Sequence, residues 1–499
     1  MEYIHKPYIF VGAGLATLAC VNNLIESGEK DISKNDILIL EAMDYKGGRM
    51  KTHQPENLEI GASWLHDSLD NKVLDYMVEK NLITFEKTHF DDIYKSKKVV
   101  GYFDDNVKLL LYNGESYTNN SKFRLEILLD EFEKYVENYF FQEENLQQDP
   151  SLKWIFLKYI NERKHFFKAS HSKKQLELLS LFVRYVETWH GISWENLSAK
   201  YAFMHSMGQN ILCFGFYKFI NYLSEGITIN YNENVSSIVK RKNQYIINDK
   251  YVTENCIISV PQSCFNEIKF NDNLINQELK ESYDKLHYGS LGKIIIELDK
   301  DFDLENTRLY HMGQIKPKDS VLIEKAMSDG GMESITTKSL IDSYNTDEGN
   351  ATLENFCDWP MLIVNHQSII SKPILLILTQ EPVTSLLEKS FSKTPNDIIP
   401  FLKPLIENIE KFLYKDPQHE CKIKKVLISN WSQNKYQKGS YPACHPNDDP
   451  LDVTIQTTLQ NECSKLKIIG EYTNLEGCGS LNGAWLSGIE CADTIKNQN

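Results

Sequence analysis

No two of the ten cysteines stand in a C-x-x-C pair, no window approaches the ~18 consecutive apolar residues of a membrane-spanning helix, and basic residues are in deficit, 54 against 69 acidic. Each absence excludes something. The scattered thiols offer neither a thiolate metal site nor a disulfide framework, and read as free cysteines of a reducing cytoplasm. The opening Met-Glu-Tyr-Ile-His lacks a basic, apolar and small-residue leader, and the closing Lys-Asn-Gln-Asn is no S-K-L address, so a cytoplasmic protein is expected. A formal charge of −15 repels nucleic-acid phosphates and anionic membranes and concentrates cations. Neither nucleic acid nor membrane is expected as a partner, and a cationic ligand is favoured, although solubility alone accounts for such acidity in many proteins.

What is present is globular: 499 residues, 41% apolar and 11% aromatic, enough for two or three domains of roughly 100–200 residues. Asn119–Asn120 and the Ser343–Asn350 run read as surface loops. There are no internal repeats and no low-complexity linker. Tyr8–Val11 reads as a strand, followed by helix-period apolar residues at Leu15, Leu18, Val21, Leu24 and Ile25, a polar insert over Ser27–Asp36, and a second strand at Ile37–Leu40 ending on Glu41. Lys122 to Glu187 reads as a charged helical layer anchored by Trp154, Phe156 and Tyr159. Strands return at Tyr245–Ile247, Cys256–Pro261 and Leu291–Glu297, and Leu466–Glu471 is again a strand running into a glycine-rich turn. The interleaving implies an α/β chain in which two domains each cross the sequence several times.

Four stretches carry chemistry. Gly12-Ala13-Gly14 opens a βαβ unit and lets the backbone approach a pyrophosphate at a helix N-terminus, but Thr17 stands where G-x-G-x-x-G has its third glycine. By itself this is equally a buried strand followed by an ordinary helix. Glu41 closes the second strand, where an acid accepts ribose hydroxyls, a little farther on than the usual ~20 residues because of the polar insert. Gly47-Gly48-Arg49 follows, with a plain surface turn as the competing reading. Gly61-Ala62-Ser63-Trp64-Leu65-His66-Asp67 pairs small residues with a histidine, and a lone histidine is more often structural. Last comes Gly470-Glu471-Tyr472-Thr473, then Gly477 to Gly488 with four glycines.

That last stretch resembles the C-terminal flavin-binding motif of the flavin amine oxidases, in which G-E-x-T precedes a glycine-rich turn and a helix whose N-terminus faces the flavin. With the other three elements in the same order, the resemblance covers nearly the whole chain. Trp189-His190-Gly191, Leu197-Ser198-Ala199-Lys200, Leu291-Gly292-Lys293, Trp431-Ser432 and Lys438-Gly439-Ser440-Tyr441 are similar to the polyamine (spermine) oxidases of yeasts and their corticosteroid-binding relative. The resemblance implies a Rossmann-like FAD-binding domain (1–90, 196–288 and 425–499) interleaved with a substrate domain of helices and mixed sheet (91–195 and 289–424), the amine oxidase or p-hydroxybenzoate hydroxylase-like fold.

It further implies that FAD is held by Gly12, Gly14, Leu15, Ala16, Glu41, Gly48, Arg49, Gly61, Ala62, Ser63, Trp64, Val235, Trp431, Tyr436, Gly470, Glu471, Ser480 and Leu481, with Thr17 a tolerated substitution. Where monoamine oxidases tether flavin through a cysteine this chain has Ser440, so noncovalent FAD is expected. Lys293 would hold a water near the flavin, with His66 and His190 as the other catalytic candidates. A solvated strand-end lysine is the bland alternative. His66, Asp91, Asp92, His190, Tyr441 and Asn482 would meet the substrate, and for Asp91 and Asp92 a solvated acidic loop is the competing reading. No metal is expected. The implied reaction is oxidation of a cationic polyamine, spermine or an N-acetylated form, by O2, giving an imine that hydrolyses to amine and aldehyde and releasing H2O2. Two rivals are a steroid-binding protein with little turnover and a nicotinamide-dependent dehydrogenase, the second leaving the Gly470-Glu471 motif unexplained.

Overall fold

Continuous apolar runs such as Ile9-Phe10-Val11 and Ile37–Leu40 demand strands covered on both faces. In the computed structural model they lie side by side. It describes all residues except 1–2, 29–31, 86–88, 104–107, 113–114, 117–118, 143–144, 146, 204–207, 272–273, 304–307, 346–349, 415, 417–419 and 498–499. Five parallel strands run in the order Thr228–Asn230, Ile37–Leu40, Tyr8–Val11, Asn255–Ile258, Leu466–Ile468. Phe10, Ile37, Ile39 and Ile257 face a core shared with the helices Leu15–Glu26 and Leu481–Asn497. Ile9, Val11, Leu38, Leu40 and Ile258 face a second core, closed by Ile238, Tyr245, Ile247 and Tyr251 of another sheet. The strand order reverses between Tyr8–Val11 and Asn255–Ile258, which in a parallel sheet opens a crevice beyond the strand C-termini. The Gly12–Gly14 turn stands there.

A seven-stranded sheet runs in the order Glu115–Ser116, Lys108–Tyr112, Arg308–His311, Met361–Asn365, Ile374–Thr379, Gly292–Leu298, Ile423–Ile428. It is antiparallel apart from the parallel pairing of Lys108–Tyr112 with Arg308–His311. One face (Ile295, Tyr310, Leu362, Val364, Leu376, Leu378) packs in one core with the helices Asn119–Phe141, Leu152–Glu162 and Lys173–Val183. The other (Ile294, Ile296, Leu309, Ile363, Ile377) packs on Val383–Phe391 and Ile399–Leu413. A small sheet of Trp64–Leu65, Ile211–Phe214, Val99–Phe103 and Ile83–Thr84 links the two bodies. By strand alternation its Val100, Tyr102, Leu212 and Phe214 join the core of the helical layer, while Ile83, Val99, Ile211 and Cys213 join that of the parallel sheet.

The expected helical layer is present, with Phe156 and Tyr159 fully buried and the Trp154 indole donating to the Ile335 carbonyl at 2.9 Å. Asn119–Asn120 is a correction: these residues begin the helix Asn119–Phe141 instead of forming a loop, as asparagine readily does at a helix start. Of the other expected loop, Ser343 and Tyr344 are instead the last residues of the helix Thr337–Tyr344, and 346–349 lie outside the described residues, as do 29–31 of the polar insert. Among the described residues no helix is long and apolar enough to cross a membrane.

Candidate functional site

Gly12 adopts φ +101°, and a Cβ there would stand 2.9 Å from the Ser259 carbonyl oxygen, so the turn requires glycine. Gly14 provides no side-chain cap to the helix Leu15–Glu26, leaving the first-turn N–H groups for an anion. Gly47 bridges Gly14, and the Gly47 N–H donates to the Ala13 carbonyl at 2.9 Å. A Cβ on Gly48 would come 3.5 Å from Gly14 Cα. Two glycine turns from different strands are thus stacked backbone to backbone, a cradle that side chains would fill. The buried Glu41 carboxylate accepts the Ala13 N–H at 2.7 Å and the Met43 N–H at 2.8 Å. Burial raises its pKa against those bonds, and its remaining lone pairs stay open to a ribose.

Thr17 is fully buried, and its hydroxyl donates to the Gly12 carbonyl at 2.8 Å. The close approach expected of the third glycine lies elsewhere: a Cβ on Gly488 would stand 2.3 Å from the Ala16 carbonyl oxygen, where the first and last helices cross. Sequence order hid that exchange.

Arg49 and Glu471 form a bidentate pair with bonds of 2.7 and 2.6 Å. Arg49 also donates to the Ser440 carbonyl at 2.8 Å, and the Tyr288 hydroxyl to Glu471 at 3.2 Å. The Arg49 side chain is only partly exposed, and the Glu471 carboxylate holds its charge firmly. The Ala62 N–H donates to the Arg49 carbonyl at 3.0 Å, and no Cβ would fit at Gly61, so the start of the Gly61–Trp64 segment lies directly on the Arg49 backbone. Ser480 caps the last helix, accepting the Gly483 N–H at 3.1 Å and donating to the Gly477 carbonyl at 2.7 Å. Leu15 and Ala16 are buried with Leu481 packed against the same core, and Val235 lies in the core of Val11, Leu40 and Tyr472.

Lys293 projects from the strand Gly292–Leu298, whose backbone is tied at this residue to Ser429: the Lys293 N–H donates to the Ser429 hydroxyl at 2.9 Å and the Ser429 N–H returns to the Lys293 carbonyl at 2.9 Å. Its ammonium donates to the Glu59 carbonyl at 3.2 Å, to the Gly61 carbonyl and to the Ser63 hydroxyl, 5.4 Å from the Trp64 ring centre. Burial lowers its pKa to about 7 against the opposing charge of Glu59. The Glu59 carboxyl is pushed up to about 7 by burial, despite donors from Thr52 at 2.8 Å and from the Gly215 and Phe216 N–H groups at 2.8 and 3.0 Å. The two groups therefore titrate in the same range. Sequence reading missed Glu59; an acid inside the apolar run Leu58-Glu59-Ile60 was its one signal.

The other expected residues separate. His66 pairs through Nδ1 with Asn210 Oδ1 at 3.0 Å, is solvent-exposed within dense protein, and has its pKa lowered by burial. Tyr441 donates to the Trp189 carbonyl and lies 3.4 Å from where a Cβ on Gly479 would stand. Ser440 donates to the Gly289 carbonyl at 3.0 Å and accepts the Leu291 N–H at 2.9 Å. Trp431 is buried, its carbonyl accepting the Gly439 N–H at 3.1 Å, and Tyr436 is half-buried under Lys435. His190 is buried with Nε2 3.0 Å from the Ala202 carbonyl; a carbonyl only accepts, so Nε2 carries the proton and holds the Trp189–Gly191 turn. Asn482 is occupied at both ends, accepting the Lys72 N–H at 2.8 Å and donating to the Asp70 carbonyl at 3.4 Å. Asp91 and Asp92 are exposed in the first turn of the helix Phe90–Lys95, and among the described residues no hydrogen bond or ion pair joins them to Lys293 or His66.

Over 98% of its length the chain is 29% identical to 95% of the corticosteroid-binding protein of Candida albicans. It is 23% identical, again over 98% of its length, to 88% of polyamine oxidase 4 of Oryza sativa subsp. japonica. A probable polyamine oxidase 4 of Arabidopsis thaliana is 23% identical over 60% of this chain and 59% of that protein. Residues 18–496 match the family model described as flavin containing amine oxidoreductase, and the chain accordingly belongs to that family, whose cofactor is FAD.

Proposed function

We propose that this flavoprotein oxidises polyamines, spermine or N-acetylated forms, with O2, and releases H2O2 with an imine that hydrolyses to amine and aldehyde. The observation that carries the reading is the Lys293 amine, buried on the Gly61–Trp64 segment with a pKa of about 7. FAD, when bound, accepts a hydride equivalent from the amine and passes its electrons to O2. On this reading segments 1–90, 196–288 and 425–499 form a Rossmann-like cofactor domain, and 91–195 and 289–424 the substrate domain. The parallel strand order and the stacked glycine turns support it. With both its hydrogen bonds satisfied and no thiol, Ser440 fits noncovalent FAD.

Lys293 has three acceptors and, as an ammonium, one proton for each. When it loses one, the Ser63 hydroxyl can turn to donate back to Nζ, so a proton moves at Nζ without a donor being stranded. His66 donates from Nδ1 to Asn210, which leaves Nε2 to take the proton of an incoming ammonium. His190, its Nε2 proton held by Ala202, positions the Trp189 carbonyl that Tyr441 reaches. A cytoplasmic location belongs to the same reading and fits free thiols: all ten cysteines are unpaired.

Steroid binding at the same site is the second reading, favoured by the name of the Candida albicans relative. A peroxide assay of purified protein with spermine, N1-acetylspermine, spermidine and a monoamine tests the first. Turnover with a polyamine is expected; no peroxide and no anaerobic flavin bleaching with any amine overturns it.

A further inference from the structure

Glu59 serves two elements at once. It lies on the strand Leu58–Glu59, paired antiparallel with Thr52–His53. One carboxylate oxygen accepts the Gly215 and Phe216 N–H groups at 2.8 and 3.0 Å, and the Thr52 hydroxyl donates to the other at 2.8 Å while accepting the Tyr217 N–H at 3.2 Å. Gly215, left-handed at φ +88°, has no side chain with which to cap the helix Phe216–Leu223, so Glu59 and Thr52 together satisfy the first N–H groups of that helix. The Glu59 backbone carbonyl meanwhile accepts the Lys293 ammonium at 3.2 Å, beside the Gly61 carbonyl and the Ser63 hydroxyl.

All these donors to the Glu59 carboxylate are neutral, and so are the three acceptors of Lys293. Glu59 is 4% and Lys293 5% exposed, and among the described residues neither takes part in an ion pair. A buried charge without a counter-charge is costly, and an acid and a base that both lack one offset each other across a medium of low dielectric. Burial lowers the proton affinity of Lys293 and Glu59 opposes it; burial raises that of Glu59, and Thr52, the helix N–H groups and Lys293 oppose it. The other groups facing the two do not supply this charge. His366 is held neutral, at about 3, by burial and by Lys293. Lys218 feels Glu59 but donates to the Ile93 and Lys98 carbonyls at 2.6 and 3.3 Å. Cys213 and Tyr217 are kept neutral by burial, with Glu59 adding to it. The Arg308 guanidinium, 5.9 Å from the Trp64 ring centre, is a second cation and not a counter-charge.

We infer that Glu59 is a positioning residue for the flavin site: its carboxylate, anchored on the start of the helix Phe216–Leu223, holds the Glu59 and Gly61 carbonyls against the Lys293 amine and supplies the negative charge that helps this amine keep its proton. Neutralising the carboxylate lets Lys293 lose that proton at lower pH. The use made of the amine rests on the oxidase reading; the coupling of the two groups does not.

The test compares the holoenzyme with Glu59→Gln, Glu59→Asp and Lys293→Met by anaerobic stopped-flow with spermine across the pH range. Lys293→Met identifies the limb of flavin reduction that belongs to the amine. In Glu59→Gln that limb should move down by about one pH unit or more, and in Glu59→Asp, which keeps the charge, it should stay near the parent's. A packing defect lowers the rate at every pH and leaves the limb in place. A limb that stays put in Glu59→Gln, or moves as far in Glu59→Asp, overturns the inference. Urea unfolding at pH 7.5 of Glu59→Gln, Lys293→Met and the protein carrying both is the second measurement. The double variant should lose less stability than the two single ones together, and additive losses overturn the inference as well. If Glu59→Gln does not fold, Thr52→Val, which takes a donor from the carboxylate and so raises its proton affinity, replaces it in both experiments with smaller shifts of the same sign. If no amine reduces the flavin, the oxidase reading fails, while the urea cycle still decides this one.

Discussion

At the residue scale, Thr17 makes the third position of the glycine motif a question of hydrogen bonding instead of space. Its hydroxyl satisfies the Gly12 carbonyl, and the close helix contact has moved to Gly488. Thr17→Gly, which restores the familiar motif, should therefore destabilise: it loses a buried hydrogen bond of about 0.5–1.5 kcal/mol and adds glycine's helix cost. Flavin content after dialysis should not rise; a gain would mean that Thr17 obstructs the cofactor. Lys293 carries the sharper test. Its folded pKa of about 7 lies below the ordinary lysine value, so the unfolded chain holds the extra proton between the two. Stability gains from this group as pH rises through that window. The neutral amine forms over the same rise, so anaerobic flavin reduction should accelerate through about pH 7. Lys293→Met should keep FAD, lose this limb of the pH profile, and fall about 100- to 10,000-fold in whichever half-reaction the amine assists. Unchanged half-reactions would return Lys293 to a structural role.

At the element scale, a residue was legible where its constraint was local. Gly12, Gly47 and Gly48 are required by their own turns, Glu41 by the strand it closes, and Lys293 was found because Leu-Gly precedes it in a recognisable string. The approach of Arg308 to Trp64 was not, because strand register in a mixed sheet sets it, and nothing beside Arg308 in the chain encodes that register. Asn482 was misplaced for the converse reason: it sits inside a recognisable motif, yet its amide is consumed by the Asp70–Lys72 turn. The crossing of the first and last helices gives the element-scale prediction. Glycine to alanine inside a helix ordinarily stabilises by roughly 0.5–1 kcal/mol. At Gly488 the new methyl would stand 2.3 Å from the Ala16 carbonyl oxygen, so Gly488→Ala should reverse that sign and, by shifting the helix that begins at Gly14, lower flavin occupancy. A higher melting temperature would disprove the close crossing.

At the scale of the whole molecule, one ion pair fastens the start of the chain to its end. Arg49 follows the second strand of the parallel sheet and Glu471 its last, and the bidentate pair joins them while Arg49 also holds the Ser440 carbonyl and Tyr288 holds Glu471. Glu471 is buried, and Arg49 is only partly exposed. Removing one partner of such a pair leaves the other charge uncompensated, at a typical cost of about 3–5 kcal/mol, whereas removing both costs less. Arg49→Met and Glu471→Gln should each lower stability and flavin retention strongly, and the double variant should recover part of the stability without recovering the flavin. Urea unfolding with flavin fluorescence measures both quantities in one titration. Additive single effects would mean that the pair does not couple, and full flavin retention in the double variant would mean that it fastens the chain without shaping the cofactor site.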